Sequence, residues 1–399
     1  MNAFLELHEI IEELFSIFKI LERCLRVAVI GAGFSGLVFA VKLAEIGLNV
    51  VVYEEHESVG IPTHCTGLVS SKTVKLIGNP AQNCIERIYD SLELIGKRSK
   101  VTIVVKEGIV KLDRVALEKE LLRKAEKIGV ETELGVRVER VTPEGEVKAK
   151  GFSKSYDVVV LAEGYRGELK RTLGLDFESK TVYGVNRDYP ASSDGKAIEV
   201  YLGERFPYGF FAWRLYRDRE ITLGLGAPTK RAAAKLLEKL EKTFNLKSSK
   251  RSYGGIVVLG PPAKRFRNNR VVIVGDAAAL NKPLTGGGLY PNALAAEISK
   301  RLIAIGEDPL KALQTSLESV AHKLRRVTPI ARVVQSCPLL VEEVLDVLSS
   351  TLRGDPIELD YDNHLEDLLR IVATVLRSPR TARLLSPNVL KSLFSCFKL

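Results

Sequence analysis

The chain has 399 residues, 46% of them hydrophobic, which is enough for one large core or two linked ones. Its formal net charge of +10 is scattered along the chain with no basic block, so a solvated surface accounts for it and nucleic acid is not an expected partner. No run of eighteen apolar residues could span a bilayer, the N-terminus lacks the pattern of a secretory signal, and five cysteines without a CxxC pair speak for a reducing, cytoplasmic setting and against a disulfide framework or metal site.

Residues 2–25 read as an amphipathic helix. Phe4, Leu7, Ile11, Leu14, Phe18, Leu21 and Leu25 share one face, and Glu6, Glu9, Glu12, Glu13 and Glu22 with Lys19 and Arg23 occupy the other. A helix lying on anionic lipid carries a basic face, so this one is expected to pack on the body of the protein or on a dimer partner. A strand at 26–30, a tight glycine turn, a helix ending near Gly47 and a strand at 50–54 make a βαβ unit. A helix is predicted over 110–129, a hairpin around VTPEGEV, and a buried strand over 156–163. From about 175 to 265 short strands alternate with polar turns, interrupted by a helix at 229–244, and predict an antiparallel sheet. An apolar strand returns at 270–276, followed by glycines and a helix at 289–305. The tail from 308 reads as helices broken by Pro338, Pro356 and Pro379.

The pattern predicts an α/β fold with a discontinuous, doubly wound, Rossmann-like domain (26–174 and 265–307). A second, antiparallel-sheet domain takes the substrate (175–264), with the N-terminal helix (1–25) and a helical C-terminal region (308–399) attached.

VAVIGAGFSGLVFAVKLAEIGLNVVVYEE places Gly31, Gly33 and Gly36 between a strand and a helix. The first glycine permits the turn, the second lets the backbone approach a pyrophosphate, and the third allows close helix–strand packing. Phe34 and Ser35 open the helix, whose free amides favour phosphate. Glu54, with Glu55 after it, ends the second strand where a carboxylate accepts from ribose hydroxyls. This fingerprint fits NAD and FAD alike.

Two later segments favour FAD. Gly275 and Asp276 end a buried strand, where an acid can hold a ribityl hydroxyl; the alternative is a helix cap. In PLTGGGLYPNALAA, Pro283, Gly286, Gly287, Gly288 and Leu289 lead into a helix whose bare amides suit the electron-rich N1–C2=O edge of an isoalloxazine.

The order of these motifs resembles the glutathione-reductase-type FAD fold in its hydroxylase branch. The resemblance implies that Arg114 lies near the pyrophosphate and ribityl chain, that Val138 lies at the cofactor, and that Glu163-Gly164 stands for the branch's Asp-Gly motif. GLGAPTK has Thr229 where a second glycine triplet would end, so no dedicated nicotinamide domain is expected. NADPH, NADH or a ferredoxin must then visit as electron donor.

Within that branch the chain resembles the geranylgeranyl reductase family. VGIPTHCTGLVS carries Cys65 and Gly67 at the position of that family's cysteine–glycine segment, FPYGFFAWRL resembles its aromatic strand, and PLTGGGLYPNALAAEISKRL its flavin helix. Trp213 falls later than the family's tryptophan, and Pro207 precedes the aromatics instead of following them. The resemblance implies reduction of isolated C=C bonds in geranylgeranyl chains of isoprenoid ether lipids, with peripheral contact to a membrane. An isolated alkene has no carbonyl to polarise, so the site must hold it against reduced flavin and exclude water.

Phe206, Tyr208, Phe210, Phe211 and Trp213 are candidates for the apolar wall, though strand alternation would send only half inward. Tyr290 is a further candidate. Cys65 is the candidate for positioning the alkene or relaying its proton, against the alternative of a small buried hydrophobe. His64 is expected to point away, and a bridge from Cys65 to Cys84 is the one disulfide weighed. An aromatic hydroxylase and a non-enzymatic prenyl carrier on the same fold are the competing readings.

Overall fold

The computed structural model describes residues 25–191, 195, 198–206 and 208–396. The helix expected over 2–25 and the displaced Pro207 fall outside these residues, apart from Leu25.

In chain order, β1 (Arg26–Ile30), α1 (Phe34–Ala44) and β2 (Asn49–Glu54) form the first unit. There follow β3 (Leu68–Ser70), α2 (Ser71–Ile77), α3 (Asn79–Gln82), β4 (Ile85–Ile95), β5 (Lys100–Leu112), α4 (Arg114–Lys127) and β6 (Glu131–Leu134). Next come β7 (Val138–Val141), β8 (Glu146–Ala149), β9 (Phe152–Ser155), β10 (Val158–Leu161), α5 (Leu169–Thr172), β11 (Thr181–Pro190) and β12 (Ile198–Tyr201). The second half holds β13 (Ala212–Arg217), β14 (Glu220–Ala227), α6 (Lys230–Thr243), β15 (Arg251–Val258), β16 (Arg267–Asn268), β17 (Val271–Ile273) and α7 (Leu289–Ala304). It closes with α8 (Pro309–Ser336), α9 (Pro338–Leu352), β18 (Ile357–Leu359), α10 (His364–Leu376) and α11 (Pro387–Cys396).

The nucleotide-type sheet runs β16-β17-β10-β1-β2-β6, all parallel except the β16–β17 edge. Its central strands are apolar on both faces because both are covered. Helices α1 and α7 pack on one side. On the other, the three-stranded β7-β8-β9 sheet meets Tyr53 through Phe152 and Tyr156, and the two tyrosine hydroxyls bond at 2.6 Å. The doubly wound fold is thus as the glycine turn and flanking strands predict.

The second sheet, β15-β11-β14-β13-β12-β4-β5-β18 with β3 on β5, departs from expectation in three ways. Strands β4 and β5 belong to it although they lie within 26–174. It is mixed, since β12 pairs with β4 and β18 with β5 in parallel. And the C-terminal tail, expected to be wholly helical, contributes β18. The helix expected over 110–129 starts only at Arg114, because Ile109–Leu112 finish β5 and the Asp113 carboxylate caps α4 by accepting from Val115 N and Ala116 N at 2.9 and 3.1 Å. Likewise β13 starts at Ala212, so Tyr208–Phe211 form a bend before it. Where a reducing setting predicts free thiols, Cys337 at the start of α9 is disulfide-bonded to Cys396 at the end of α11. Cys65 and Cys84 are free.

Candidate flavin and substrate site

The two sheets share one cavity of about 1380 Å³. It begins at the C-terminal ends of β1, β2 and β10, where ligands of open α/β sheets bind, and ends in an apolar chamber under α9 and α10.

At the first end the fingerprint glycines behave differently from one another. Gly31 has φ +100°, and a side chain there would come within 2.6 Å of the Ala162 carbonyl, so the turn tolerates only glycine. A side chain on Gly33 would meet nothing and point into the open space at the head of α1, where the free helix amides favour an anion. Glu54 reaches back to accept from Ala32 N at 2.7 Å, which holds its carboxylate at the cavity edge, and it also takes His56 N at 3.0 Å. Glu55 and Val138 line the same end.

Farther in, Gly275 N donates to the side-chain oxygen of Asn292 at 2.9 Å, and Asn292 Nδ2 donates to the carbonyls of Gly288 and Leu280. One buried amide therefore binds the end of β17 to the first turn of α7. Asp276 lines the cavity, and burial pushes its carboxyl up, opposed by the Asn281 Nδ2 bond at 2.9 Å. The glycines Gly286, Gly287 and Gly288 and Leu289 line the wall beside it. Lys282, which no sequence signal singled out, is buried there and paired with Asp362 at 3.1 Å, with its ammonium also donating to Tyr361 O.

Cys65 and Gly67 also face the cavity. The sulfur accepts from Gly67 N at 3.3 Å. Arg114 sits against it, ion-paired with Glu118. Burial opposes its charge, but Glu118 and the Cys65 sulfur more than offset this and hold the guanidinium pKa above its ordinary value. Next along, Thr66 Oγ1 and Trp213 Nε1 both donate to Asn186 Oδ1, at 3.0 and 3.1 Å, so the cysteine segment is anchored to the aromatic strand. His64 lines the cavity as well, contrary to its expected direction, with Nδ1 at 3.0 Å from Gly254 O.

A flavin dinucleotide fits this donor set. Besides the open face of Gly33, the buried Arg114 Nε and Asn281 Oδ1 have no hydrogen-bond partner among the described residues, and both belong to lining residues. Buried polar atoms of this kind are normally satisfied. Glu163 and Gly164 line the cavity, but the Glu163 carboxylate accepts from Leu169 N and Lys170 N at 2.9 and 2.7 Å. Burial pushes its pKa up while those bonds oppose it. It caps α5 with both oxygens.

In the apolar chamber Phe206, Phe210, Phe211 and Trp213 line the wall together, because the first three precede the strand and escape its alternation. Three expected residues, Tyr208 and Tyr290 of the substrate side and Pro283 of the cofactor side, do not line the cavity. Tyr208 is exposed and packs edge-on against Phe206. Tyr290 lies one position past Leu289, about 100° around α7, among Asp360, Asp362 and Lys72. Pro283 is buried behind the wall, its carbonyl accepting from Gln335 Nε2 at 2.9 Å. The remaining walls come from segments the sequence reading left unassigned: Leu92 and Leu94 of β4, Ile103 and Val105 of β5, Val334 and Val341 of α8 and α9, and Leu359, Leu368 and Ile371 of the tail. Tyr361, His364 and Asp367 add polar groups to that side.

A family model described as an NAD(P)-binding Rossmann-like domain matches residues 29–74. Among curated relatives, digeranylgeranylglycerophospholipid reductase 2 of Methanothermobacter thermautotrophicus is 25% identical over 88% of this chain and 97% of its own. Digeranylgeranylglycerophospholipid reductase 1 of Methanopyrus kandleri is 29% identical over 86% and 96%. Among solved structures, a geranylgeranyl bacteriochlorophyll reductase-like protein of Thermoplasma acidophilum superposes with a TM-score of 0.70 at 17% identity, over 93% of this chain and 98% of that one. The p-nitrophenol 4-monooxygenase of Pseudomonas putida gives 0.65 at 16% identity, over 88% and 98%. Both structural likenesses are likenesses of fold. The resemblance to the geranylgeranyl reductase family stands on the sequence relatives.

Proposed function

We infer that this chain is an FAD-dependent oxidoreductase of the geranylgeranyl reductase type, saturating isolated C=C bonds in the geranylgeranyl chains of isoprenoid ether lipids. The observation that carries this reading is the continuity of one cavity from the glycine turn to a chamber walled by aliphatic and aromatic side chains. FAD, when bound and reduced, supplies the hydride.

The chain's own residues account for the rest. Gly33 and the head of α1 receive the pyrophosphate, and Glu54 the ribose. Asp276 and the opening of α7 hold the ribityl chain and the ring. Phe206, Phe210, Trp213 and Leu368 desolvate the isoprenoid chain and keep water from the alkene. Cys65, anchored through Gly67 N and adjacent to Arg114, stands where the cysteine segment meets the chamber and positions the double bond. The electron donor is NADPH, NADH or a ferredoxin. A hydroxylase would need polar groups to orient a phenol, and the chamber wall offers chiefly hydrocarbon. The full Glu54–Asp276–glycine set speaks against a flavin-free carrier.

The test is anaerobic. The purified, flavin-loaded protein is reduced chemically and mixed with a digeranylgeranyl lipid, and the lipid is weighed by mass spectrometry while flavin absorbance is followed. Stepwise gain of hydrogen pairs with flavin reoxidation is expected. Reoxidation without mass gain, or neither, would overturn the proposal.

A further inference from the structure

Helix α10 is apolar on two sides. Leu368 and Ile371 line the chamber, and Val375 packs with Val341 and Leu345 of α9. On the outer side Leu369, Val372 and Leu376 recur at the helical spacing of one stripe, and they are 59%, 51% and 67% exposed. The connection that follows carries Leu385, 69% exposed. A helix that only closed a cavity would turn polar side chains outward, and this one turns out leucine and valine.

Beyond the first turn of α10, which carries the exposed Glu366, the charge around the stripe has a single sign. Between Leu368 and Cys396 there are five basic residues and no aspartate or glutamate. Arg370, Arg377, Arg380, Arg383 and Lys391 are all exposed, and none forms an ion pair among the described residues. No helix among the described residues is long and apolar enough to cross a membrane. Contact through this face is therefore interfacial, with apolar side chains entering the acyl boundary and arginines meeting anionic headgroups.

We propose that the outer face of α10 and the segment running from it into α11 dock this protein on an anionic lipid bilayer. This rests on the lipid-reductase reading and adds the surface through which the substrate arrives. The wall separating bilayer from chamber is then a single helix thick, with Leu369 and Val372 on the lipid side and Leu368 and Ile371 on the chamber side. A second copy of the chain is a poor occupant, since two such faces would oppose ten uncompensated cations.

The full, flavin-loaded protein is sedimented with vesicles of phosphatidylcholine alone and of phosphatidylcholine with phosphatidylglycerol. Binding to the anionic vesicles only is expected, and about 0.5 M salt should weaken it. The triple variant Leu369→Ser, Val372→Ser, Leu376→Ser and the double variant Arg377→Glu, Arg380→Glu should each weaken binding by about tenfold or more. These positions are exposed, so the variants should keep their flavin and their turnover of detergent-dispersed geranylgeranyl lipid. Wild-type binding by both variants, no binding by the unmodified protein, or loss of a lipid-free dimer in the triple variant would each overturn the docking surface. A wild-type protein that binds vesicles yet leaves dispersed lipid unreduced would overturn the proposed function and leave the surface standing.

Discussion

Gly275 and Asn292 are seventeen residues apart, and a 2.9 Å hydrogen bond from the glycine amide to the asparagine side chain sets the end of β17 against the opening of α7. Asn292 is nearly free of solvent contact, and its amide group is used in both directions. Its replacement by alanine leaves Gly275 N and the Leu280 carbonyl without a partner, while Gly288 O keeps the backbone amide of residue 292, at a cost of about 1–3 kcal/mol. Asn292→Ala and Asp276→Ala should both lower flavin retention by about tenfold or more, which equilibrium dialysis against FAD would measure. Of the two, only Asn292→Ala should also lower the melting temperature of the flavin-free protein.

Cys65 has a narrower role to test. Its sulfur faces the cavity, accepts from Gly67 N and lies against Arg114. Cys65→Ala should retain FAD at the wild-type level and slow alkene reduction about tenfold or more. Single-turnover flavin reoxidation would show this, and a wild-type rate would remove the residue from the mechanism.

Glu342 of α9 has no solvent exposure, and its carboxylate accepts from Lys97 N, Arg98 N and Glu204 N at 2.9–3.1 Å. It fastens the C-terminal helices to the β4–β5 turn. Glu342→Ala strands three amide donors and should destabilise the protein by about 2–4 kcal/mol. Urea titration would measure the loss.

The tail side of the chamber should leave a mark in stability against pH. Burial, helped by the Asp360 and Glu366 charges and opposed by the Asp360 amide and Arg370, pushes the Asp367 carboxyl up to about 6 from 3.8. Its folded pKa exceeds the unfolded value, so its contribution is complete below about pH 4 and is lost as pH rises through 6. His364 has the opposite sign. Burial and then Lys282 push it down to about 3 from 6.5, so its contribution is complete above about pH 6.5 and is lost as pH falls toward 3. Asp367→Asn should gain on the wild type by about 1–3 kcal/mol as pH rises from about 4 to 7, and His364→Gln should gain as pH falls over the same range. Denaturant midpoints at several pH values would check both signs.

The cofactor half of the site was legible because its chemistry is local. The turn at Gly31, the open face of Gly33 and the glycines before Leu289 are each encoded within a few neighbouring residues. The chamber was only half legible. Leu92, Leu94, Ile103 and Val105 alternate as in any one-sided strand, and nothing nearby in the chain shows that β12 lies parallel to β4 and β18 to β5. Tyr290 and Tyr208 were misplaced for a related reason. Proximity in sequence to Leu289 and Phe206 does not fix direction, and one step along a helix or through a bend turns a side chain out of the cavity.

The placement of β18 sets an order of assembly. Every strand of the nucleotide-type sheet is complete by Ile273 and its closing helix by Ala304, whereas the chamber still lacks Leu359, Leu368 and Ile371 when Val334 has been made. A chain emerging from the ribosome therefore gains the means to hold its dinucleotide well before it has a closed compartment for an isoprenoid, and the aliphatic and aromatic wall already made stays uncovered until the tail arrives.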